Sequence, residues 1–192
     1  MLAARLRPVI EPLTSGVGRA LARAHLSPNA LTSIGLAGTI FCAWLIADGH
    51  PRIAGVILIA PMIVDVLDGA TARATGRVTV WGGFYDSVAD RVGDGALFAG
   101  IAWLARIHHP RELAAALTAM VFTFCVPYAR AKAESVGLRT VPGPGERAER
   151  AVILIVGLIF SVVEPALWVV SALTLWTFVT RVATVWRQTA RV

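Results

Sequence analysis

Six apolar runs, most of them close to membrane-crossing length and separated by short polar segments, constrain this chain more than any other feature. They extend from about Leu31 to Ala47, Ile53 to Ala72, Trp81 to Ala105, Leu113 to Ala133, Ala151 to Val163 and Ala166 to Trp186. A helix needs ~20 predominantly apolar residues to cross a bilayer, and each of its backbone polar groups must be satisfied within the segment because no water is at hand. Composition agrees, with 56% hydrophobic and 16% charged residues and a mean hydropathy of +0.68. These values lie outside the range of a soluble domain. The expected fold is an all-α integral membrane protein with six transmembrane helices. The fifth run is short and is expected to recruit residues before it.

Residues 1–28 have a different pattern. Leu2, Leu6, Val9, Ile10, Leu13, Val17 and Leu21 recur at roughly helical spacing, with Arg5, Arg7, Arg19 and Arg23 interleaved and Pro8 and Pro12 interrupting. This describes an amphipathic helix lying on a membrane surface, and the scattered arginines leave no apolar core for a cleavable signal peptide. The chain thus divides into an amphipathic juxtamembrane segment, 1–28, and a six-helix transmembrane domain, 29–192. Ser27-Pro28-Asn29 reads as a helix start with Asn29 as the cap. Glu164-Pro165 reads as the turn between the last two spans. The segment from Glu134 to Arg150 holds Gly137, Pro142, Gly143, Pro144 and Gly145, too many breakers for it to span.

Basic residues fall unevenly on alternate connections. One side receives the N-terminal segment, Arg73, Arg77, the region from Arg130 to Arg150, Arg187 and Arg191; the other receives Arg52, Arg106 and Arg111. The basic side is expected to be cytoplasmic, with both termini there and the protein in the cell membrane. The same distribution explains the net charge of +6 without a nucleic-acid partner. Cys42 and Cys125 lie in apolar runs and suggest buried thiols, and the four histidines match no zinc pattern.

Against this background, four of the six aspartates fall between Asp65 and Asp90. Each ionisable group in a membrane segment costs roughly 2.5–3.5 kcal/mol on insertion scales, so the cluster needs a compensating partner. Asp65 and Asp68 are spaced i, i+3 and Asp86 and Asp90 i, i+4, so each pair shares a helix face. Opposed, they make an all-oxygen site suited to a hard divalent cation, Mg²⁺ or Mn²⁺. Gly69, Ala72, Gly82 and Gly83 leave room for close approach, and Arg73, one turn beyond Gly69, is placed to meet phosphate oxygens.

The spacing D-x2-D-G-x2-A-R-x8-G-x3-D-x3-D, formed by Asp65, Asp68, Gly69, Ala72, Arg73, Gly82, Asp86 and Asp90, resembles at all eight positions the signature of the CDP-alcohol phosphotransferase family. The six-run hydropathy and the amphipathic start resemble it as well. The resemblance implies transfer of a phosphatidyl group from CDP-diacylglycerol to an alcohol, with release of CMP. Carried over, it implies that Asp65, Asp68 and Asp86 bind metal ions, two in number, which hold the diphosphate. Asp90 would complete the metal site and act as the catalytic base. Gly69, Ala72, Arg73 and Gly82 would receive the CDP-lipid. A homodimer is implied by the resemblance alone.

The acceptor must be read outside the motif. Arg130 and Lys132 end the fourth run, Arg147 and Arg150 begin the fifth, and Arg181 interrupts the sixth. Several such groups together suggest an anion pocket and a phosphorylated acceptor. The Glu146-Arg147-Ala148-Glu149-Arg150 stretch and the basic pair are similar to those of the phosphatidylinositol phosphate synthases within that family, which implies inositol 1-phosphate as acceptor. Arg130 and Lys132 stand in the reverse of the order typical of that subgroup, and glycerol 3-phosphate is the alternative. A divalent-cation transporter would also use such acids, but it would spread them through the membrane depth, whereas these gather at one end.

Overall fold

The computed structural model describes residues 27–190 except 75 and 77, and the backbone alone of 70, 73 and 74. The amphipathic helix expected over 1–28 lies outside the described residues apart from its last two. Among the described residues the chain is all-helical: α1 (Pro28–Ala47), α2 (Pro51–Ala74), α3 (Val80–Ala105), α4 (Pro110–Ser135), α5 (Arg147–Ile159) and α6 (Val163–Thr189).

Local chemistry sets the helix ends. Ser27, and not Asn29, caps α1, its hydroxyl oxygen accepting from the Ala30 N–H at 3.2 Å. Pro28 takes the first helical position, where a missing N–H costs nothing, and so fixes the cap one residue before it. Gly49, at φ 90°, makes the reversal to α2. Thr79 caps α3 by accepting from the Gly82 N–H at 3.0 Å. Glu164-Pro165 does not form the turn before α6. Phe160 to Val162 make it, with Ser161 at φ 58°, and Pro165 sits within the first turn of α6. A proline is tolerated there because N–H groups of the first turn have no intrahelical acceptor.

The helices pack as a closed ring in the order α1, α2, α5, α6, α4, α3, each touching the next and α3 returning to α1. Inside lies a core that includes Ile46, Leu58, Phe98, Ile101, Leu158, Leu167 and Val170. Small residues bring the backbones close. A Cβ on Gly100 would lie 2.5 Å from the Ala43 carbonyl oxygen, so α1 and α3 meet at a separation only glycine permits. The outward faces carry Trp44, Val56, Trp103, Val121, Trp176 and Val179, all exposed.

Among the described residues, three helices, α1, α4 and α6, are long and apolar enough to cross a membrane. The acids occupy α2 and α3, and α5 has 13 residues. α5 gains only Arg147 to Arg150 before its apolar run. The segment ahead of it, 136–146, folds inward along α6 instead: a Cβ on Gly143 would lie 2.7 Å from Thr177, and one on Gly145 would lie 2.9 Å from Leu173. Thr177 also donates its hydroxyl to the Pro144 carbonyl. These contacts seat the start of α5 against the middle of α6.

Candidate active site

Helical spacing and the packing of α2 beside α1, with α3 on α1's other side, bring the motif acids together. Asp65, Asp68 and Asp86 each offer a carboxylate oxygen, and the three oxygens lie within 4.8 Å of one another. Asp68 is the most enclosed, 6% exposed, and accepts a 2.6 Å hydrogen bond from the Thr32 hydroxyl of α1. Asp90, one turn further along α3, stands outside this trio. Its Oδ1 lies 2.9 Å from an Arg147 nitrogen and its Oδ2 3.4 Å from Arg91.

Arginines of α5 complete the arrangement. One Arg147 nitrogen faces both Asp65 and Asp90, and its Nε lies 4.0 Å from Asp94. Arg150 is buried, with one nitrogen 3.0 Å from Asp94 Oδ2 and another donating to the Gly145 carbonyl at 2.9 Å. Asp94 thus pairs with Arg150, where its position one turn beyond Asp90 suggests Arg91 as the partner. Glu149 accepts from the Gly145 N–H at 2.7 Å. Gly145, at φ 78°, is therefore held from both sides by the residues that open α5.

These groups line one cavity of about 460 Å³. Its polar lining includes Asp65, Asp68, Asp86, Asp90, Asp94, Arg147 and Arg150, and its apolar lining Leu58, Met62, Leu97, Phe98 and Leu154. A second, wholly apolar groove runs between α2 and α5 over Ile59, Ile63, Val152 and Val156. It shares Met62 and Val66 with the first.

The other motif positions are placed as follows. Gly69 lines the cavity, and Ala72 is half-buried on α2. Arg73 belongs to α2, but its side chain lies outside the described residues. Gly82 is half-buried in the first turn of α3, where a Cβ would lie 3.0 Å from Thr79 Oγ1 and 3.4 Å from Asn29 Oδ1. Of the basic residues, Arg147 and Arg150 enter the cavity wall. Arg130 is exposed and pairs with Glu134 at 2.8 Å, and Lys132 is exposed at the end of α4. Arg181 is buried, donates to the Val126 carbonyl at 2.7 Å, and keeps its Nε without a partner among the described residues. Thr32 escapes the sequence reading. A threonine in an apolar helix usually satisfies itself on the preceding turn, and only the packing of α1 on α2 shows that this one meets an acid.

The donor set fits a hard divalent cation: three carboxylates converge, the donors are all oxygen, and the buried Asp68 is held by a hydroxyl. Residues 25–187 match the family described as CDP-alcohol phosphatidyltransferase. The chain belongs to that family. It is 33% identical over 179 residues to the archaetidylinositol phosphate synthase of Pyrococcus horikoshii, covering 93% of each chain. It is 38% identical to the phosphatidylinositol phosphate synthase of Streptomyces avermitilis, over 88% of this chain and 76% of that protein. Among solved structures, the phosphatidylinositol phosphate synthase of Mycobacterium tuberculosis with CDP-DAG bound superposes with a TM-score of 0.83 at 30% identity, covering 91% of this chain and 94% of the other. The same enzyme in complex with manganese and citrate gives 0.81 at 31% identity, covering 90% and 88%. Family membership makes this chain a transferase of phospholipid synthesis.

Proposed function

We propose that this enzyme transfers the phosphatidyl group of CDP-diacylglycerol to inositol 1-phosphate, giving phosphatidylinositol phosphate and releasing CMP. The observation that carries this reading is the union, in one cavity, of a carboxylate trio and two arginines of α5, with an apolar groove sharing one wall. Each part suits one reactant: the acids a diphosphate through a cation, the arginines an anionic acceptor, the groove a fatty chain. The names of the relatives agree.

In this reading Asp65, Asp68 and Asp86 hold divalent cations, two Mg²⁺ or Mn²⁺ ions, with Asp90 completing the set. Such ions, when bound, neutralise the diphosphate and stabilise the departing CMP. Gly69, Ala72, Arg73 and Gly82 receive the donor's nucleotide and phosphates, and the groove between α2 and α5 takes an acyl chain. Arg147 and Arg150 grip the acceptor phosphate, with Arg130, Lys132 and Arg181 adding charge further out. The acceptor hydroxyl oxygen bonds to the lipid-bearing phosphorus as the bond to CMP breaks, and Asp90, oriented by Arg147 and Arg91, takes the hydroxyl proton.

All six helices cross the cell membrane in this proposal, preceded by the amphipathic segment, with the site and both termini on the cytoplasmic face. The outward apolar side chains and the uneven distribution of arginines support it. A homodimer rests on family likeness.

The test offers purified enzyme labelled CDP-diacylglycerol with inositol 1-phosphate, free inositol, glycerol 3-phosphate or serine in turn. Phosphatidylinositol phosphate should form with the first alone. Product with glycerol 3-phosphate alone would overturn the acceptor, and no metal-dependent CMP release with any of them would overturn the reaction.

A further inference from the structure

We infer that Thr32 is a positioning residue for the Asp68 carboxylate, so that α1, which carries none of the acids, sets the affinity of the site for a divalent cation. The inference rests on the proposed role of Asp68 as a cation ligand.

Two distances carry it. Thr32 Oγ1 lies 2.6 Å from Asp68 Oδ2 and 3.1 Å from the Pro28 carbonyl oxygen. A hydroxyl has one proton, and the shorter contact, in the range of a charge-assisted O–H···O⁻ bond, takes it. Several other mid-helix threonines turn their hydroxyls back onto their own helix. Thr39, Thr118, Thr174 and Thr184 hold the carbonyl four residues back at 2.9, 2.8, 2.7 and 2.7 Å. Thr32 keeps the corresponding carbonyl only at the longer 3.1 Å and stands closer to the acid.

Both partners are buried at the cavity wall, Thr32 at 8% and Asp68 at 6% exposure. Asp65, Asp90 and Asp94 each face an arginine, whereas the side-chain partner of Asp68 among the described residues is this threonine. A neutral donor on one oxygen fixes the plane of the carboxylate without cancelling its charge. The charge stays available to a cation shared with Asp65 and Asp86. An arginine in the place of Thr32 would compete for it.

The test uses the purified full-length enzyme without substrates and titrates Mn²⁺, reading free Mn²⁺ by its electron paramagnetic resonance signal. Thr32→Val keeps the shape and deletes the hydroxyl, and should weaken Mn²⁺ binding ~10–100-fold, the usual loss when a group supporting a metal ligand is removed. Thr32→Ser restores the hydroxyl and should stay within about threefold of the unaltered protein. Thr32→Ala serves as the deletion if the valine variant does not fold. Unchanged Mn²⁺ affinity in the deletion variant would overturn the positioning role and leave Asp68 as a ligand. A serine variant as weak as valine would overturn it too, because packing of the methyl would then be the cause. Failure of the unaltered protein to bind Mn²⁺ would overturn the cation site and this inference together.

Discussion

Arg150 of α5 and Asp94 of α3 form an ion pair at 3.0 Å in which the Arg150 side chain is 7% exposed. The pair joins two helices that are not neighbours in the ring, and it fixes the guanidinium at the cavity wall. Removing Arg150 leaves Asp94 with the longer 4.0 Å contact to Arg147 and takes the donor from the Gly145 carbonyl. Arg150→Ala should therefore lower stability by about 3 kcal/mol as well as raise the acceptor KM. Thermal melting and acceptor saturation curves on the same preparation check both effects, and an unchanged acceptor KM removes Arg150 from the acceptor pocket.

Asp68→Asn should reduce turnover by roughly a hundredfold or more, since an amide keeps the shape but loses the charge that the cation requires. Near-normal activity at saturating Mg²⁺ would contradict direct ligation. Chelation of the unaltered enzyme should abolish CMP release, and added Mn²⁺ or Mg²⁺ should restore it.

Arg147 is shared by Asp65 and Asp90. Lysine can supply its charge but not its fork of donors. Arg147→Lys should retain a measurable part of the activity, and Arg147→Ala should lose about tenfold or more in kcat/KM for the acceptor. Steady-state kinetics with both substrates varied would show the order, and equal losses in the two variants would mean that charge plays no part.

Gly100 offers a control away from the chemistry. A Cβ there would lie 2.5 Å from the Ala43 carbonyl oxygen, backbone that cannot swing aside. Gly100→Ala should destabilise the protein by about 1–3 kcal/mol, as overpacking does, with both KM values unchanged in the fraction that remains folded. A variant that melts like the unaltered enzyme would show that α1 and α3 slide past one another more freely than their contact implies.

Much of the fold was legible because hydropathy and punctuation report on single helices. The apolar runs each became one helix, and Gly49, Pro51 and Pro110 mark ends where the residue type demands them. The acid trio was legible for a related reason: i, i+3 and i, i+4 spacing fixes which side chains share a face before any partner is known. What stayed hidden depends on contacts between helices. Arg130, Lys132, Arg147, Arg150 and Arg181 carry the same charge, and nothing local separates the two that line the cavity from the three that do not. The pairing of Asp94 with Arg150 spans α3 and α5, and that of Thr32 with Asp68 spans α1 and α2. Glu164-Pro165 misled because proline marks the first turn of a helix as readily as the turn before it.

The inward fold of residues 136–146 has its own consequence. At ~1.5 Å per residue, Leu173 and Thr177 lie roughly 20 Å below the end of α6, and the 13 residues of α5 then need to travel only about 20 Å to reach the opposite rim. Arg147 and Arg150 therefore stand at the foot of a well, not on its lip. In the proposed membrane arrangement a water-borne reactant would descend to them, and a lipid would approach along the apolar groove between α2 and α5. The two reactants would then meet inside the protein, where the cavity and the groove share Met62 and Val66.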